Sequence, residues 1–467
     1  LSEYPVYRAR TSATASLGTA STTENTGRKK QPPKGLNSQT EQPAGIGFSK
    51  EKEPDMNLST PSGKIRAKQA LSRRGFMESA ASAATVALLS PRTALGTNAN
   101  SSIKAGIIGL GGRGRMIASM VRDHGGFQIT AVAEYFQELA EGAGAQFDVP
   151  KEQCYSGLSG YQGLMASGVE AVFLETPPYC FPEHAMAAAE AGLHVFMAKP
   201  VACDVPGCTR IAEAGARAGA KERVFLVDFQ TRTDPFNIEV IRQLHEGAIG
   251  PAALLTAIYT DEGFADPPRT ENAESRLRNL VWVNDDDLGG GYLVNAGIHA
   301  LDVALWMADA LPVSATGGSR RTRKDPHGDS HDIYSLTYEF ADGLLLNHRG
   351  EHLPNRHGFT CGCTAFCRDG YAEAAYEGEA RLHPKEGEGP GGTIHGLYEQ
   401  GARRNIAAFH DRIREGRHDN STVTPSVNAT LAALLGREAC LRRGTFTWTE
   451  MMAENKRIEP DLGGLRK

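Results

Sequence analysis

Long apolar runs are missing from this sequence. Nowhere in its 467 residues is there a stretch of the roughly 18 apolar residues that a membrane-spanning helix needs. Cysteine is scarce as well: Cys154, Cys180, Cys203, Cys208, Cys361, Cys363, Cys367 and Cys440 are too few and too irregular for a disulfide scaffold, and read as buried thiols. Basic charge is not in excess, with 50 Lys and Arg against 55 Asp and Glu and a net charge of −5. The first hundred residues hold a basic surplus, so the remaining body is still more acidic, which argues against a nucleic-acid backbone as partner. A Walker motif and internal repeats are absent, leaving triphosphate chemistry and solenoids without support. His352, His357, Cys361, Cys363 and Cys367 lack zinc-ligand spacing, and Asp285-Asp286-Asp287 lacks the twelve-residue calcium loop with its terminal Glu, so no metal is expected.

What is present is globular in bulk. With 40% hydrophobic and 22% charged residues and ordinary Gly and Pro usage, the chain should hold two or three domains of roughly 100 to 200 residues. Residues 1–55 are rich in Ser, Thr, Pro, Gly and Lys without apolar periodicity, and read as disordered or as an extension upstream of the first methionine, Met56. Residues 56–96 have the order of a twin-arginine signal: Arg73-Arg74, an uncharged stretch from Ser79 to Leu89, then small residues around Ala94 and Gly96. Export machinery for folded proteins is therefore an expected partner, and an exported or periplasmic location follows.

Residues 97–223 read as a dinucleotide-binding domain. The buried strand Ile103 to Ile108 runs into Gly109-Leu110-Gly111-Gly112-Arg113-Gly114 and then a helical pattern through Met116, Ile117, Met120 and Val121. In such a unit one glycine makes the tight turn, another lets the pyrophosphate approach backbone, and the third packs helix on strand. The next strand, Phe127 to Ala133, ends at Glu134, where a carboxylate can accept from the ribose hydroxyls and favours NAD over NADP. Strands at Ala171–Leu174 and His194–Met197 flank a helix from about Phe181 to Ala191 that closes at Gly192, giving a doubly wound parallel sheet. Thr176, Pro177 and Lys199 then fall at the carboxyl edge of the strands, where ligands bind.

These motifs, together with His184, the segment Ala191 to Val195 and Lys199-Pro200, resemble the glucose-fructose oxidoreductase, inositol dehydrogenase and MocA family over about residues 103 to 449. The family's Glu-Lys-Pro is here Ala198-Lys199-Pro200. Its Asp-x-x-x-His helix is here Asn295 to His299, after Gly289-Gly290-Gly291. The resemblance implies NAD as cofactor, with Lys199, His299 and Asn295 as catalytic residues. His299 would remove the hydroxyl proton and Lys199 stabilise the alkoxide. By helical spacing Asn295, His299 and Asp302 should share one face, and Arg232 is a candidate for substrate contact.

Residues 224–415 read as an α+β domain with an open, mostly antiparallel sheet. Its expected strands lie at Ala253–Tyr259, Ile333–Phe340 and Leu344–Arg349, with a hairpin turn at Phe340-Ala341-Asp342-Gly343 and a free sheet face for a homo-oligomer. Residues 416–467 read as a helical closing segment. The expectation is an exported NAD-binding oxidoreductase acting on a sugar or polyol alcohol and holding its cofactor tightly. The competing classes are a redox-neutral NAD-dependent glycosidase or lyase and a non-catalytic sugar sensor.

Overall fold

The computed structural model describes residues 102–264, 273–278, 281–324 and 328–467. The expected disordered segment and the twin-arginine signal, Arg73-Arg74 included, lie outside them. The first sheet holds β1 (Ile103–Ile108), β2 (Phe127–Glu134), β3 (Cys154–Ser156), β4 (Ala171–Leu174), β5 (His194–Ala198) and β6 (Phe225–Asp228), all parallel, in the order β3-β2-β1-β4-β5-β6. β4 and β6 are buried along their whole length, as strands covered on both faces must be, which is why they read as unbroken apolar runs. Five helices fill the crossovers: α1 (Gly112–His124), α2 (Gln137–Gln146), α3 (Gly160–Met165), α4 (Phe181–Ala191) and α5 (Val205–Ala220). α4 stops where expected because Gly192 takes the left-handed conformation at φ 74°, its N–H returning to the Ala189 carbonyl.

The second sheet contains β7 (Ala252–Asp261), β8 (Pro312–Arg320), β9 (Ile333–Phe340), β10 (Leu345–His352), β11 (Thr360–Cys367), β12 (Gly370–Ala375), β13 (Gly378–Pro384), β14 (Gly391–Ile394) and β15 (Phe446–Thr447). Their order is β14-β13-β12-β11-β7-β10-β9-β8-β15, antiparallel throughout except for the β7–β10 pair. β9 alternates buried and open positions, and the β9–β10 turn closes at Gly343, with φ 87°, as its sequence requires. The α6 (Pro235–His245) and α7 (Ile298–Ala308) helices pack on one face of this sheet.

Two features of the chain's path matter for the site. β6 lies wholly beyond residue 223, so the first sheet is completed by residues of the 224–415 segment. The chain also comes back: α8 (Leu397–Glu415) buries Phe409 among Phe127, Phe173 and Phe196 of the first sheet. The closing segment is more than helical. It supplies the almost wholly buried α9 (Val423–Arg442), which packs on both α5 and β8, then β15, then α10 (Trp448–Glu454) behind a Thr447–Glu450 capping box. Each half thus carries part of the other's core, which holds the facing strand ends in fixed relation.

Candidate active site

A cleft of about 710 Å³ opens along the carboxyl ends of β1, β2, β4 and β5, where the strand order reverses between β1 and β4. Its wall includes Gly109, Gly111, Gly112, Arg113, Gly114, Glu134, Thr176, Pro177, Lys199, Asn295 and His299, residues drawn from both halves of the chain. The turn after β1 needs its glycines for different reasons. Gly109 has φ 93°, and a Cβ there would meet the Glu175 backbone; a Cβ on Gly114 would strike the Gly109 carbonyl. Gly111 and Gly112 instead face open space, and Gly111 begins α1 without a side-chain cap. This is a bare backbone cradle at a helix N-terminus, and it fits a dinucleotide pyrophosphate.

Glu134 ends β2 beside that cradle. Its Oε2 accepts the Leu110 N–H at 2.6 Å and its Oε1 the Tyr135 N–H at 2.9 Å. Burial raises its pKa while these amides pull it down. Next to it Tyr135 donates its hydroxyl to Glu274 at 2.7 Å and accepts the Arg466 N–H at 3.0 Å. Arg466 also lies over the Tyr135 ring, and its carbonyl takes the Leu158 N–H at 3.0 Å. The Arg278 guanidinium sits 3.7 Å from the Phe136 ring centroid. Two distant segments, residues 273–278 and the tail around Arg466, therefore meet at Tyr135, beside the Glu134 end of the cleft.

At the other end Lys199, half-buried just after β5, donates from Nζ to the Asn295 backbone carbonyl at 2.6 Å. Burial first, and the nearby Arg113 cation second, bring its pKa down to about 7. His299 stands in an aromatic box, its ring 5.0 Å from Tyr376, 6.0 Å from Phe229 and 6.4 Å from Tyr259. Burial depresses its pKa well below the usual range, and Nδ1 finds no partner among the described residues. The Asn295 amide makes only a 3.5 Å contact with the Gly289 carbonyl, so this residue orients Lys199 through its backbone. Thr176 Oγ1 lies 3.5 Å from Nδ1 of His184, whose ring packs on Tyr161.

Two expectations are corrected. Asn295, His299 and Asp302 do not share one α-helical face, because Leu293–Gly297 is a π-helical turn that precedes α7 and widens the spacing. Asp302 points away from the cleft and holds Arg232 through Nε and Nη2 at 2.9–3.0 Å, with Arg232 also over the Trp306 ring. Arg232 is absent from the cleft wall, and its guanidinium is held in this ion pair. Sequence reasoning missed Glu175 and Asp228, buried carboxylates at the ends of β4 and β6 that both contact Arg113. The signal was there: each is an acid closing an otherwise apolar strand. Tyr376, Tyr398 and Trp282 also line the cleft, but nothing local in their sequence marks them.

Of the discounted clusters, His352 pairs with Asp261, and Arg276 holds Asp285 and Asp287 at 2.8 and 2.6 Å. Among the described residues no group of His, Cys, Asp or Glu is arranged to hold a metal, and no helix is long and apolar enough to cross a membrane.

Comparison with known proteins bears on the family and the fold. Residues 103–226 match the model of the oxidoreductase family with an NAD-binding Rossmann fold, and residues 238–361 match the GFO/IDH/MocA C-terminal domain. Inositol 2-dehydrogenase 4 of Saccharopolyspora erythraea is 25% identical over 72% of this chain and 93% of its own length. The 2,7-anhydro-N-acetylneuraminate hydratase of Escherichia coli is 28% identical over 52% of this chain and 60% of its own. Among solved structures, an inositol dehydrogenase homologue from Azotobacter vinelandii complexed with NAD+ shares the fold at a TM-score of 0.62, with 17% identity over 74% of this chain and 97% of that one.

Proposed function

We propose, for a chain that belongs to the GFO/IDH/MocA oxidoreductase family and carries its NAD-binding Rossmann domain, that it oxidises or reduces a CH–OH group of a sugar or polyol. The observation that carries this reading is the convergence of Lys199 and His299 on the same cleft as the glycine cradle and Glu134. NAD bound there supplies the hydride acceptor or donor. Glycines 111 and 112 would hold its pyrophosphate, and Glu134 its ribose hydroxyls. His299, which the family resemblance marks as the proton acceptor, has a buried ring with an unpartnered Nδ1 and a depressed pKa, and is a weak base. Lys199, near 7, is the better matched acceptor, with the Asn295 carbonyl aiming it and His299 orienting the substrate hydroxyl.

The reading extends to export and to retained cofactor. Arg73-Arg74 and the apolar stretch after it support export of a folded protein. The hydrogen bonds that tie Tyr135, which lines the cleft beside Glu134, to Glu274 and the Arg466 amide support slow release of NAD. A second copy of the chain would dock on the open face of the nine-stranded sheet, where Leu345, Phe366 and Tyr371 are exposed. A redox-neutral cycle on one substrate is the second reading. It is favoured by the hydratase among the relatives.

The test is to follow reduced-nicotinamide absorbance while a panel of polyols and sugars is added to the purified protein. At least one should give a signal that Lys199→Met abolishes. A protein that binds these compounds with no redox or elimination product, and whose behaviour is unchanged by Lys199→Met and His299→Ala, would be a sensor instead.

A further inference from the structure

Ala198 ends β5 level with Asp228 on β6, and the β4–β5 register, Leu174 opposite Met197, makes Glu175 its neighbour on the other side. Residues at one level of a parallel sheet point to one face, so Glu175, Ala198 and Asp228 form a row, the two acids separated by two strand spacings, about 9.6 Å. Arg113 bridges them. Its Nε is 3.1 Å from Glu175 Oε2, and its Nη2 bonds Asp228. A guanidinium that reaches both must lie over the middle strand, in the space that a side chain larger than alanine at position 198 would fill.

The rest of the clamp is equally defined. Asp228 also accepts from Asn405 Nδ2 at 2.7 Å and Gln230 Nε2 at 2.6 Å, and the Tyr398 ring lies 5.2 Å from the guanidinium. Neither Glu175 oxygen takes a hydrogen bond, so its contact with Arg113 is electrostatic, and burial lifts its pKa to about 7. The clamp ties the glycine turn to the strand end whose next residue is Lys199. The charged and titratable groups facing that lysine are Arg113, Glu175 and Asp228, Cys361 from β11 and His299 from α7.

We propose that Arg113, seated over Ala198 between Glu175 and Asp228, is a positioning residue for proton transfer at Lys199: it fixes the strand end that carries the lysine and is the cation that keeps it available as a base. Alanine at 198 is part of the same device, because it leaves room for the guanidinium. The inference rests on Lys199 being the base, and its test is chosen to separate the two ideas.

The pH dependence of Lys199 labelling by an amine-reactive reagent, read by peptide mass spectrometry, needs no turnover. In the unaltered protein the labelling midpoint should lie near 7. Arg113→Met removes the cation and leaves the acids, so the midpoint should rise by about one unit or more, with kcat/KM at neutral pH falling roughly tenfold and recovering in alkali. Ala198→Leu, which displaces the guanidinium without touching its charge, should move the midpoint in the same direction. Should Arg113→Met fail to fold with its two acids unpaired, Arg113→Met with Glu175→Gln removes one acid and should still raise the midpoint. An unmoved midpoint in the folded variants overturns the role of Arg113. A shifted midpoint with unchanged turnover spares the clamp and removes Lys199 from the chemistry.

Discussion

A lysine held neutral by burial should cost the protein stability, and Lys199 allows that cost to be worked out. Its pKa falls from the ordinary 10.5 to about 7, chiefly through desolvation. At about 1.4 kcal/mol per unit, the folded chain disfavours the charged lysine by a ceiling of about 5 kcal/mol. Below pH 7 the lysine is protonated in both folded and unfolded chains, so the whole cost is present. As pH rises toward 10.5 the unfolded lysine also loses its proton, and the cost disappears. Replacing it with methionine removes the charge and fills similar space, at the loss of a hydrogen bond to the Asn295 carbonyl worth about 1–2 kcal/mol. The net gain at about pH 6 is roughly 3 kcal/mol, or about 3–6 °C in melting temperature for a body of this size. Thermal melts of the unaltered protein and Lys199→Met at about pH 6 and pH 10 check this: the variant should be inactive, more stable at the lower pH and nearly equal at the higher. A variant less stable at pH 6, or one whose advantage does not change with pH, would refute the burial argument.

Three further outcomes follow from the same geometry. Glu134→Ala, which removes the carboxylate beside the glycine cradle, should weaken NAD binding and relax discrimination against NADP in isothermal titration; equal affinity for both in the unaltered protein would contradict the assignment. His299→Ala, which removes the group that orients the substrate hydroxyl, should lower kcat/KM while leaving NAD binding intact, and loss of the cofactor instead would reassign the residue to structure. Tyr135→Phe removes the hydroxyl that joins Glu274 and the Arg466 amide, and should speed NAD loss during dialysis with kcat per bound cofactor unchanged; a release rate like that of the unaltered protein would remove these hydrogen bonds from cofactor retention.

The first sheet was legible because its physics is local. Buried parallel strands read as apolar runs, and Gly109 and Gly114 of the turn stand where only glycine fits. The glycine cradle, Glu134, Thr176 and Lys199 could be placed on strand ends for the same reason. Legibility failed where one residue's role depends on another far along the chain. Arg232 is claimed by Asp302, seventy positions on, and that partnership leaves no trace in local periodicity. The π turn at Leu293–Gly297 breaks a spacing argument that assumes 3.6 residues per turn. The return of α8 to the first sheet, with Phe409 among three phenylalanines of that sheet, hides behind an ordinary amphipathic pattern. The departure at Ala198 was visible in sequence, but its place between Glu175 and Asp228, the two acids that Arg113 bridges, needed the register of three strands.

The central claim is a sugar or polyol oxidoreductase that keeps its NAD. It is tested most directly by mass spectrometry of the nucleotide released from the purified, exhaustively dialysed protein, before and after incubation with a panel of sugars and polyols. The account predicts that NAD is recovered after dialysis, that at least one compound converts it to NADH, and that a second carbonyl compound converts it back without added nucleotide. An empty protein whose activity depends on added, freely exchanging NAD would contradict it.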